Sequence, residues 1–295
     1  MTILITGCNG LLGSNLINYF SNSNYYVLGT SLSESTINHN YIFIKGDLSD
    51  ESFVKKLILN YSPDIIINTV ALVNLELCEK NQNHAYKTNV KTVINLADSI
   101  TENVHLIHIS TDHLFDGNNS YYTEDDHPNP LNIYASTKLL SEQEAVKRHK
   151  NTTIIRTNIF GWSPKDHVDT FGEWIYNNLK SNRSIKLFRD YFFTPIEINL
   201  FIKALEEIIK NKISGVYNIC GTERCSKLHF GTELANTFGL NKDLIIESSI
   251  NEHSFIAKRP NDLSLSTKKF EKETNYKLPN LISSLKSFLN NLNQD

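Results

Sequence analysis

Residues 2–13 read TILITGCNGLLG, an apolar run followed by three glycines spaced three residues apart. Gly7 would permit a tight turn out of a strand, Gly10 would let the backbone approach a pyrophosphate, and Gly13 would allow a helix to pack closely on that strand. A helix beginning at Leu11 would also offer unpaired backbone N–H groups to a phosphate. The same pattern fits an ordinary glycine-rich turn, so the dinucleotide interpretation depends on the rest of the chain.

The chain continues as a regular alternation of short apolar and amphipathic runs. This pattern predicts strands at residues 2–6, 25–29, 41–45, 64–68, 104–110, 152–157 and 215–219, and helices at 11–20, 51–60, 83–99, 135–148 and 195–210. Repeated strand–helix–strand units are typical of a parallel sheet covered by helices on both faces. We therefore expect an α/β protein with a doubly wound parallel sheet of the Rossmann type.

The alternation becomes less regular after Phe160. We expect a dinucleotide-binding Rossmann domain of residues 1–160 plus about 192–220. A smaller α/β lobe of about residues 161–191 plus 221–295 would bind the substrate. The length of 295 residues and the hydrophobic content of 40% are sufficient for one compact, enzyme-sized protein with a substantial core.

Charge is balanced along the chain, with 29 basic and 32 acidic residues and a formal net charge of -3. Without a run of like charge, the sequence lacks the electrostatic signature of a protein that binds nucleic acid or an anionic membrane. No apolar run approaches the ~18 residues that a membrane span needs, and the first predicted strand begins at Thr2, where a signal peptide would otherwise lie. We expect a cytoplasmic protein that binds neither nucleic acid nor membrane.

The cysteines Cys8, Cys78, Cys220 and Cys225 show neither a Cys-x-x-Cys pair nor a matching histidine spacing. Free thiols in a reducing compartment explain them best. A structural zinc site is therefore not expected, and no metal is predicted.

Three tyrosines are followed four residues later by a lysine: Tyr41 with Lys45, Tyr134 with Lys138, and Tyr176 with Lys180. The first pair lies in a predicted strand, where four residues separate the side chains by roughly 13 Å. The last pair lies on an amphipathic helix with no hydroxyl-bearing strand end before it, so packing accounts for it. Only Tyr134 and Lys138 open a helix that follows such a strand end, and there they lie one turn apart on the same face.

The strand end before Tyr134 reads Ser110-Thr111-Asp112. A hydroxyl at this place, with a nearby tyrosine and lysine, can move a proton beside a carbonyl group. Alone, Thr111 would be read as a strand-end hydroxyl that closes a turn. Beside the Tyr134 and Lys138 pair, the interpretation as a site residue is stronger.

The end of the second predicted strand bears on the choice between NAD and NADP. An acidic residue there would bind a ribose 2′-hydroxyl and repel a 2′-phosphate. This chain has Thr30 and Ser31, and the first acid is Glu34. We expect NADPH, with NADH as the alternative because no arginine is near. Asp47 and Leu48 follow the third strand, where an adenine would lie; Asp47 or Asp50 would equally serve as a helix N-cap.

These segments together resemble the extended short-chain dehydrogenases/reductases, and specifically the dTDP-4-dehydrorhamnose reductase group. The resemblance is carried by the glycine loop, Asp47-Leu48, residues 63–68 (PDIIIN) with Ala71, Asn89, residues 109–117 (ISTDHLFDG), and residues 122–134 with Tyr122-Thr123-Glu124-Asp125 and PNPLNIY. Residues 156–162 and 259–266 fit more loosely, so the resemblance covers nearly the whole chain.

The resemblance implies reduction of the 4-keto group of a nucleotide-activated deoxysugar, first of all a dTDP-4-dehydro-6-deoxyhexose, in dTDP-rhamnose and cell-surface polysaccharide biosynthesis. Tyr134 would be the acid, Lys138 would bind the nicotinamide ribose, and Thr111 would hold the substrate oxygen. An adjacent ammonium and the oxidised nicotinamide would lower the tyrosine pKa from its ordinary value near ~10. A homodimer is a compatible assembly.

Further site residues follow from the same resemblance. The cofactor would be held by Gly7, Asn9, Gly10, Leu11, Leu12, Gly13, Thr30, Ser31, Asp47, Leu48, Val70, Ala71, Asn89, Tyr134 and Lys138. The substrate would be held by Val73, Asp112, His113, Asn158 and Arg259. A structural histidine and ordinary loop hydrogen bonds are the alternatives for the last three.

The sequence departs from the group's pattern at two places where the sugar would bind. His113 replaces a common tyrosine, and Asn158-Ile159 stand where a tryptophan is common. Two alternatives stay open: an epimerase or dehydratase that retains NAD, and a noncatalytic regulatory subunit that binds cofactor and a partner enzyme. A dehydratase usually has a glutamate at the position of His113, which argues against dehydration.

Overall fold

The computed structural model of this protein describes residues 1–35, 40–163 and 169–292. The chain forms two compact units of similar size. The first comprises residues 1–114, 130–155 and 212–216, and the second comprises residues 115–129, 156–211 and 217–295. Residues 164–168 and 293–295 of the predicted second lobe lie outside the described residues.

The described part of the chain alternates strands and helices for its first half and becomes less regular afterwards. The strands are β1 Thr2–Thr6, β2 Tyr26–Ser31, β3 Ile42–Lys45, β4 Ile65–Asn68, β5 His105–Ile109, β6 Thr152–Arg156, β7 Ile159–Phe160, β8 Ile185–Phe188, β9 Phe192–Phe193, β10 Ile196–Glu197, β11 Gly215–Asn218, β12 Cys225–Ser226 and β13 Ile245–Ser248. The helices are α1 Leu11–Ser21, α2 Glu51–Tyr61, α3 Leu75–Lys80, α4 Gln82–Tyr86, α5 Thr92–Ser99, α6 Ile133–Arg148, α7 Phe171–Lys180, α8 Ile198–Asn211, α9 Lys227–Phe238, α10 Lys268–Thr274 and α11 Leu281–Asn290.

Seven strands form one sheet in the order β11-β6-β5-β4-β1-β2-β3. The chain runs outward from β1 through β2 to β3, then returns to the other side of β1 and continues through β4, β5 and β6. Thr6, the last residue of β1, pairs in parallel with Thr30 on one side and Asn68 on the other. This reversal of strand order leaves a crevice at the carboxyl ends of the strands, the place where α/β folds bind nucleotides. The doubly wound Rossmann sheet is thus confirmed.

Apolar burial explains why the strands take these positions. On one face of the sheet Leu4, Ile66 and Leu106 are fully buried in a single cluster with helix residues such as Val54 and Leu96. Full burial of one such side chain stabilises the fold by about 1.5–3 kcal/mol. Strands buried on both faces read as continuous apolar runs, which is why β4 has the sequence IIIN.

The predicted helix 83–99 is observed as three consecutive helical segments over 82–99. It consists of α4, a π-helical turn over Lys87–Lys91, and α5, and the additional helix α3 precedes it. Asn74 caps α3 by accepting from Leu77 N–H at 2.9 Å, and Asn81 caps α4 by accepting from His84 N–H at 3.0 Å. These two caps begin new helices within one amphipathic stretch.

The division into units also differs from the expected one. Residues 115–129, 156–160, 192–211 and 217–220 belong to the second unit. The third of these segments contains α8, which packs on α10 and α11 of that unit. That unit has an aromatic core that includes Phe160, Phe193, Phe230 and Phe288. A strand–helix pattern alone does not indicate on which unit a given helix packs.

Two further observations concern the described residues as a whole. None of their helices combines the length and apolar character that a membrane span requires. Nor do they contain a group of His, Cys, Asp and Glu side chains arranged to hold a metal ion. All four cysteines are buried free thiols.

Candidate active site

The glycine turn after β1 has a backbone that other residues could not adopt. Gly7 lies in the left-handed region with φ of +67°, and Gly10 N–H donates to Gly7 O at 2.8 Å. A Cβ at Gly13 would lie 2.2 Å from Gly7 O, so only glycine fits there. Gly10 is the N-cap of α1, and no described side chain caps that helix. The free N–H groups of its first turn suit a pyrophosphate.

A cavity of about 300 Å³ lies beside this turn in the first unit. Its lining includes many predicted cofactor residues, namely Gly7, Thr30, Ser31, Asp47, Leu48, Val70 and Ala71, and adds Leu32, Gly46, Ser49, His84, Lys87, Thr88 and Thr92. The hydroxyl of Thr30 is buried, and no described group forms a hydrogen bond with it. The orphan hydroxyl, the glycine turn and the cavity together fit a dinucleotide.

Asn9, one of the predicted cofactor residues, positions the loop that follows β2. Asn9 Nδ2 lies 3.0 Å from Ser33 O, from Ser33 Oγ and from Glu34 O. Asn9 therefore ties the loop after β2 to the glycine turn. This bond spans 24 and 25 residues of sequence, so no local pattern indicates it.

Two lysines that the sequence analysis did not assign to the cofactor site are Lys87, which lines the cavity, and Lys45, which pairs with the lining residue Ser31. Lys87 Nζ is 3.3 Å from the carboxylate of Asp47, and Lys45 Nζ is 2.8 Å from that of Glu34. The pairing of Lys45 with Ser31 belongs to the parallel register of β2 and β3. The positive charge beside the second strand thus comes from a neighbouring strand, which the sequence around Ser31 does not reveal.

Asn89 lies in the π-helical turn and its amide is engaged by the protein. Its Oδ1 accepts from Leu72 N–H at 2.6 Å, and its Nδ2 donates to Thr137 Oγ1 at 2.9 Å. The residue thereby joins the loop after β4 to α6. Val73, in the same loop, is 62% exposed and is open to a ligand.

The three predicted catalytic residues come together at the carboxyl edge of the sheet. Thr111 follows β5, while Tyr134 and Lys138 lie one turn apart on α6, and all three are buried. The hydroxyl of Thr111 donates to Asp112 Oδ1 at 3.2 Å, and it lies near enough to the phenol of Tyr134 to affect its pKa. Lys138 Nζ donates to the backbone oxygen of Ile109 at 2.6 Å.

The start of α6 is held by groups that position Tyr134. Asn132 caps the helix by accepting from Ala135 N–H at 2.9 Å. Glu79 Oε1, from α3, accepts from Ile133 N–H at 2.9 Å. The asparagine cap is readable from its place before the helix, whereas the contact with Glu79 spans 54 residues and is not.

Burial is the largest influence on the pKa of Tyr134 and on that of Lys138. It raises the pKa of Tyr134 above its ordinary value, the nearby hydroxyl of Thr111 opposes this, and the Asp112 carboxylate adds to it. Burial lowers the pKa of Lys138 to about 8, and the Glu142 carboxylate opposes this. The pKa of Tyr134 is thus raised and not lowered as expected, because burial is the largest influence on it, and Tyr134 keeps its proton at neutral pH.

Two predicted substrate residues lie beside this group. Asp112 is buried, and its Oδ1 is 4.0 Å from His113 Nε2. The ring of His113 meets that of Tyr134 edge to face, with centroids 5.8 Å apart. An imidazole, rather than the phenol common in the resembled group, is therefore placed against the ring of Tyr134.

The other two predicted substrate residues, Asn158 and Arg259, belong to the second unit. The backbone oxygen of Asn158 accepts from Ile196 N–H at 3.0 Å. The guanidinium of Arg259 stacks 3.9 Å above the ring of Phe255. Their predicted contact with a substrate stays a prediction.

The remaining Tyr-x-x-x-Lys pairs have ordinary structural roles. The hydroxyl of Tyr41 forms a hydrogen bond with Ser35. Tyr176 packs edge to face on Trp162, and Lys180 Nζ lies 5.1 Å above the Tyr176 ring. Packing therefore accounts for the Tyr176 pair, as predicted.

A Rossmann sheet with a glycine turn after β1, a hydroxyl after β5 and a Tyr-x-x-x-Lys helix defines an extended short-chain dehydrogenase/reductase. The chain belongs to the family described as the RmlD substrate binding domain, whose model matches residues 1–294.

Known proteins similar to this chain carry different names. A solved dTDP-4-dehydrorhamnose reductase from Clostridium acetobutylicum is 26% identical, with a TM-score of 0.87 and 99% of each chain covered. A probable low-salt glycan biosynthesis reductase of Haloferax volcanii is 26% identical over 95% of each chain. The methionine adenosyltransferase 2 subunit beta of Danio rerio is 27% identical over 91% of this chain and 84% of the relative. Solved structures that share the fold at lower identity include one with NADP and one with NAD.

Proposed function

We propose that this protein is an NADPH-preferring reductase of the 4-keto group of a nucleotide-activated deoxysugar. The observation that carries the proposal is the buried group of Thr111, Tyr134 and Lys138 at the edge of the sheet where the glycine turn lies. A protonated phenol beside a hydroxyl and an ammonium is suited to give a proton to a carbonyl oxygen. The family and the similar reductases support the same conclusion.

The residues of the first unit divide the binding of the cofactor between them. The turn at Gly7 and the first turn of α1 would hold the pyrophosphate, and the cavity beside Asp47 would hold the adenine. The hydroxyls of Thr30 and Ser31 would bond a 2′-phosphate. Lys138 would bond the nicotinamide ribose. When bound, the reduced nicotinamide supplies the hydride that reaches the carbonyl carbon.

The side chains of this chain then handle the proton. Tyr134 gives its phenolic proton to the substrate oxygen as that oxygen gains negative charge, and a phenolate is left. The nearby hydroxyl of Thr111 and the ammonium of Lys138, one helical turn away, would stabilise this phenolate. The hydride and the proton together convert the ketone to an alcohol.

The substrate class rests on different residues. Asp112 and His113 lie beside Tyr134, and these two residues together with the exposed Val73 would bind the sugar ring. Arg259 would bind the diphosphate, because the planar guanidinium matches phosphate oxygens. We take dTDP as the first nucleotide on the basis of the reductases to which the chain is similar.

The deciding experiment is a panel of nucleotide 4-ketosugars with dTDP, UDP, GDP and CDP, with NADPH oxidation followed by absorbance. We expect turnover with one member and none with the free ketosugar. NADPH binding without turnover of any member would contradict the proposal.

A regulatory subunit that binds cofactor is the second candidate. It is favoured by the similarity to a chain named as the beta subunit of methionine adenosyltransferase 2. Coelution of the protein with a methionine adenosyltransferase catalytic chain on gel filtration, with no ketosugar reduced, would support it. The buried proton-transfer group favours the reductase, since a purely regulatory chain has no need of it.

A further inference from the structure

A chain of buried polar side chains runs behind Lys138 and is not used in the proposed chemistry. It joins Asn68 at the end of β4, His108 on β5 and Ser141 on α6, and all three are fully buried. Asn68 Nδ2 lies 3.0 Å from His108 Nδ1, and Ser141 Oγ lies 2.9 Å from His108 Nε2. Lys138 Nζ lies 3.3 Å from that same Nε2.

The hydrogen-bond partners of Asn68 determine which ring nitrogen of His108 carries the hydrogen. The backbone N–H of Val70 lies 3.3 Å from Asn68 Oδ1 and can only donate, so that atom is the amide oxygen. The hydroxyl of Thr6 donates to the same oxygen at 2.6 Å. The NH₂ group of Asn68 therefore faces His108 Nδ1 and donates to it. The neutral imidazole must then carry its hydrogen on Nε2.

The hydrogen bonds of Ser141, at the other end of this row of polar side chains, also place the hydrogen of His108 on Nε2. The hydroxyl of Ser141 donates to the backbone oxygen of Lys138 at 2.7 Å, so its oxygen accepts from His108 Nε2–H. His108 thus presents a hydrogen, and not a lone pair, to the nearby nitrogen of Lys138. Among the described residues, Ile109 O is the one protein oxygen to which Lys138 Nζ donates.

We propose that His108 is a positioning residue for Lys138. Asn68 fixes His108 in the tautomer with the hydrogen on Nε2, so the ring offers no acceptor to Lys138 Nζ. Two of the three ammonium hydrogens then stay available to the cofactor ribose, while the third is donated to Ile109 O. The part that concerns the ribose rests on the proposed function. The tautomer itself does not.

The charges around the pair agree with this arrangement. Burial, and then the charge of Lys138, lowers the pKa of His108 well below its ordinary value. An imidazolium would also set an N–H on Nδ1 against the NH₂ group of Asn68. Glu142 on α6 favours the lysine cation. Tyr134, with Asp112 and Cys78 near it, completes the titratable surroundings.

The test begins with the protein labelled with ¹⁵N-histidine. We expect the His108 ring to show a bare Nδ1 and a protonated Nε2 from pH 6 to 8. Asn68→Asp would place a carboxylate against Nδ1, move the hydrogen there and leave Nε2 as an acceptor for Lys138. The pKa of Lys138, followed by ¹³C-lysine NMR, should then rise by about one unit or more. NADPH should bind about three- to tenfold more weakly, as expected for the loss of one hydrogen bond.

Two controls separate the tautomer from the added charge and from general damage. In a His108→Leu background, Asn68→Asp leaves only the through-space effect of the added charge, so the pKa of Lys138 should rise by clearly less than in the presence of His108. His105→Leu removes another buried histidine of β5, one that bonds Thr153 Oγ1 at 2.7 Å, and should leave the pKa of Lys138 unchanged.

A protonated Nδ1 in the parent protein, or an unchanged lysine pKa in Asn68→Asp, would overturn the inference. These readouts need no turnover. If His108 has the expected tautomer but the protein reduces no ketosugar, only the proposed function is contradicted. If the protein reduces a ketosugar but His108 has its hydrogen on Nδ1, only this inference is contradicted.

Discussion

The side-chain nitrogen of Lys138 on α6 lies 2.6 Å from the backbone oxygen of Ile109, the last residue of β5. This bond fastens the helix to the carboxyl edge of the sheet at the level of Thr111, two residues further along. The lysine is only 1% exposed, so its charge is held in a place where water cannot screen it. The protonation of this one group should therefore dominate the pH response of the site.

We expect the rate of reduction to fall above pH 8. Burial lowers the pKa of Lys138 to about 8, so the ammonium that stabilises the Tyr134 phenolate is present below this pH and lost as the pH rises through it. Tyr134, whose pKa is raised, stays protonated over this range. A plot of kcat/KM against pH from 6 to 10 would check this. A profile that stays level to pH 9.5 would show that the lysine charge is not required.

Tyr134→Phe should lower turnover by about 10²-fold or more, because general acid catalysis is typically worth this much. NADPH affinity should stay within about twofold, since the ring still packs in its place. Tyr176→Phe is the matched control, because it removes a buried tyrosine hydroxyl from the other helical Tyr-x-x-x-Lys pair. Turnover of Tyr134→Phe within a few-fold of the control would remove Tyr134 from the proton-transfer role.

NADPH should have a higher kcat/KM than NADH, and Ser31→Asp should reverse the preference. A carboxylate at Ser31 would repel a 2′-phosphate and accept from a free ribose hydroxyl. Ser49→Asp adds a carboxylate at another part of the same cavity and should weaken both cofactors alike. Equal use of the two cofactors by the parent protein would mean that the loop after β2 does not distinguish them.

Gly13→Ala should destabilise the protein by about 1–3 kcal/mol, the usual range for overpacking. Its Cβ would lie 2.2 Å from Gly7 O and displace the turn, so NADPH binding should also be lost. Gly172→Ala is the control, because its Cβ would first meet the ring of Phe288 at 3.2 Å. Chemical denaturation and cofactor titration measure the two effects, and NADPH affinity equal to that of Gly172→Ala would contradict the assigned role of the turn.

A nucleoside diphosphate should raise the melting temperature, whereas the free sugar should not. At a ligand concentration 100 times Kd, binding stabilises the fold by about 2.7 kcal/mol. We expect the largest shift with dTDP, and a smaller one in Arg259→Lys, because lysine lacks the planar fork. No shift with dTDP, UDP, GDP or CDP, under conditions where NADPH does shift the protein, would argue against a nucleotide-sugar substrate.

Local patterns were sufficient to predict most of the sheet and the helix α6, which carries Tyr134 and Lys138. The bounds of β1 agree with the expected residues 2–6, and α6 begins two residues before the expected start. Tyr134 and Lys138 could be distinguished from the other two Tyr-x-x-x-Lys pairs because their helical spacing and the hydroxyl-bearing strand end before them are both visible in the sequence. Asn132, which caps α6, is visible in the same way.

Features that depend on distant contacts could not be predicted. Lys45 reaches the loop after β2 only because β3 pairs beside β2, and Asn89 meets Thr137 across 48 residues. The amide of Asn9 holds the loop at Ser33 and Glu34, a role that no local pattern indicates, while its predicted contact with the cofactor stays a prediction. The direction of the tyrosine pKa depends on the depth of burial, which no spacing of residues encodes.

Because of the π-helical turn over Lys87–Lys91, the number of residues in this segment determines which side chains face the cavity. An α-helix turns by about 100° per residue. Deleting one residue here would convert the π-helical turn to regular α-helix and would rotate the preceding helical residues by that angle relative to α5. His84 and Lys87 would swing away from the cavity they now line, and Asn89 would lose either Leu72 or Thr137. A shortened chain would therefore have a more regular helix but a disrupted binding site. Insertions and deletions at this point are constrained by the length of the segment, independently of the helix propensity of its residues.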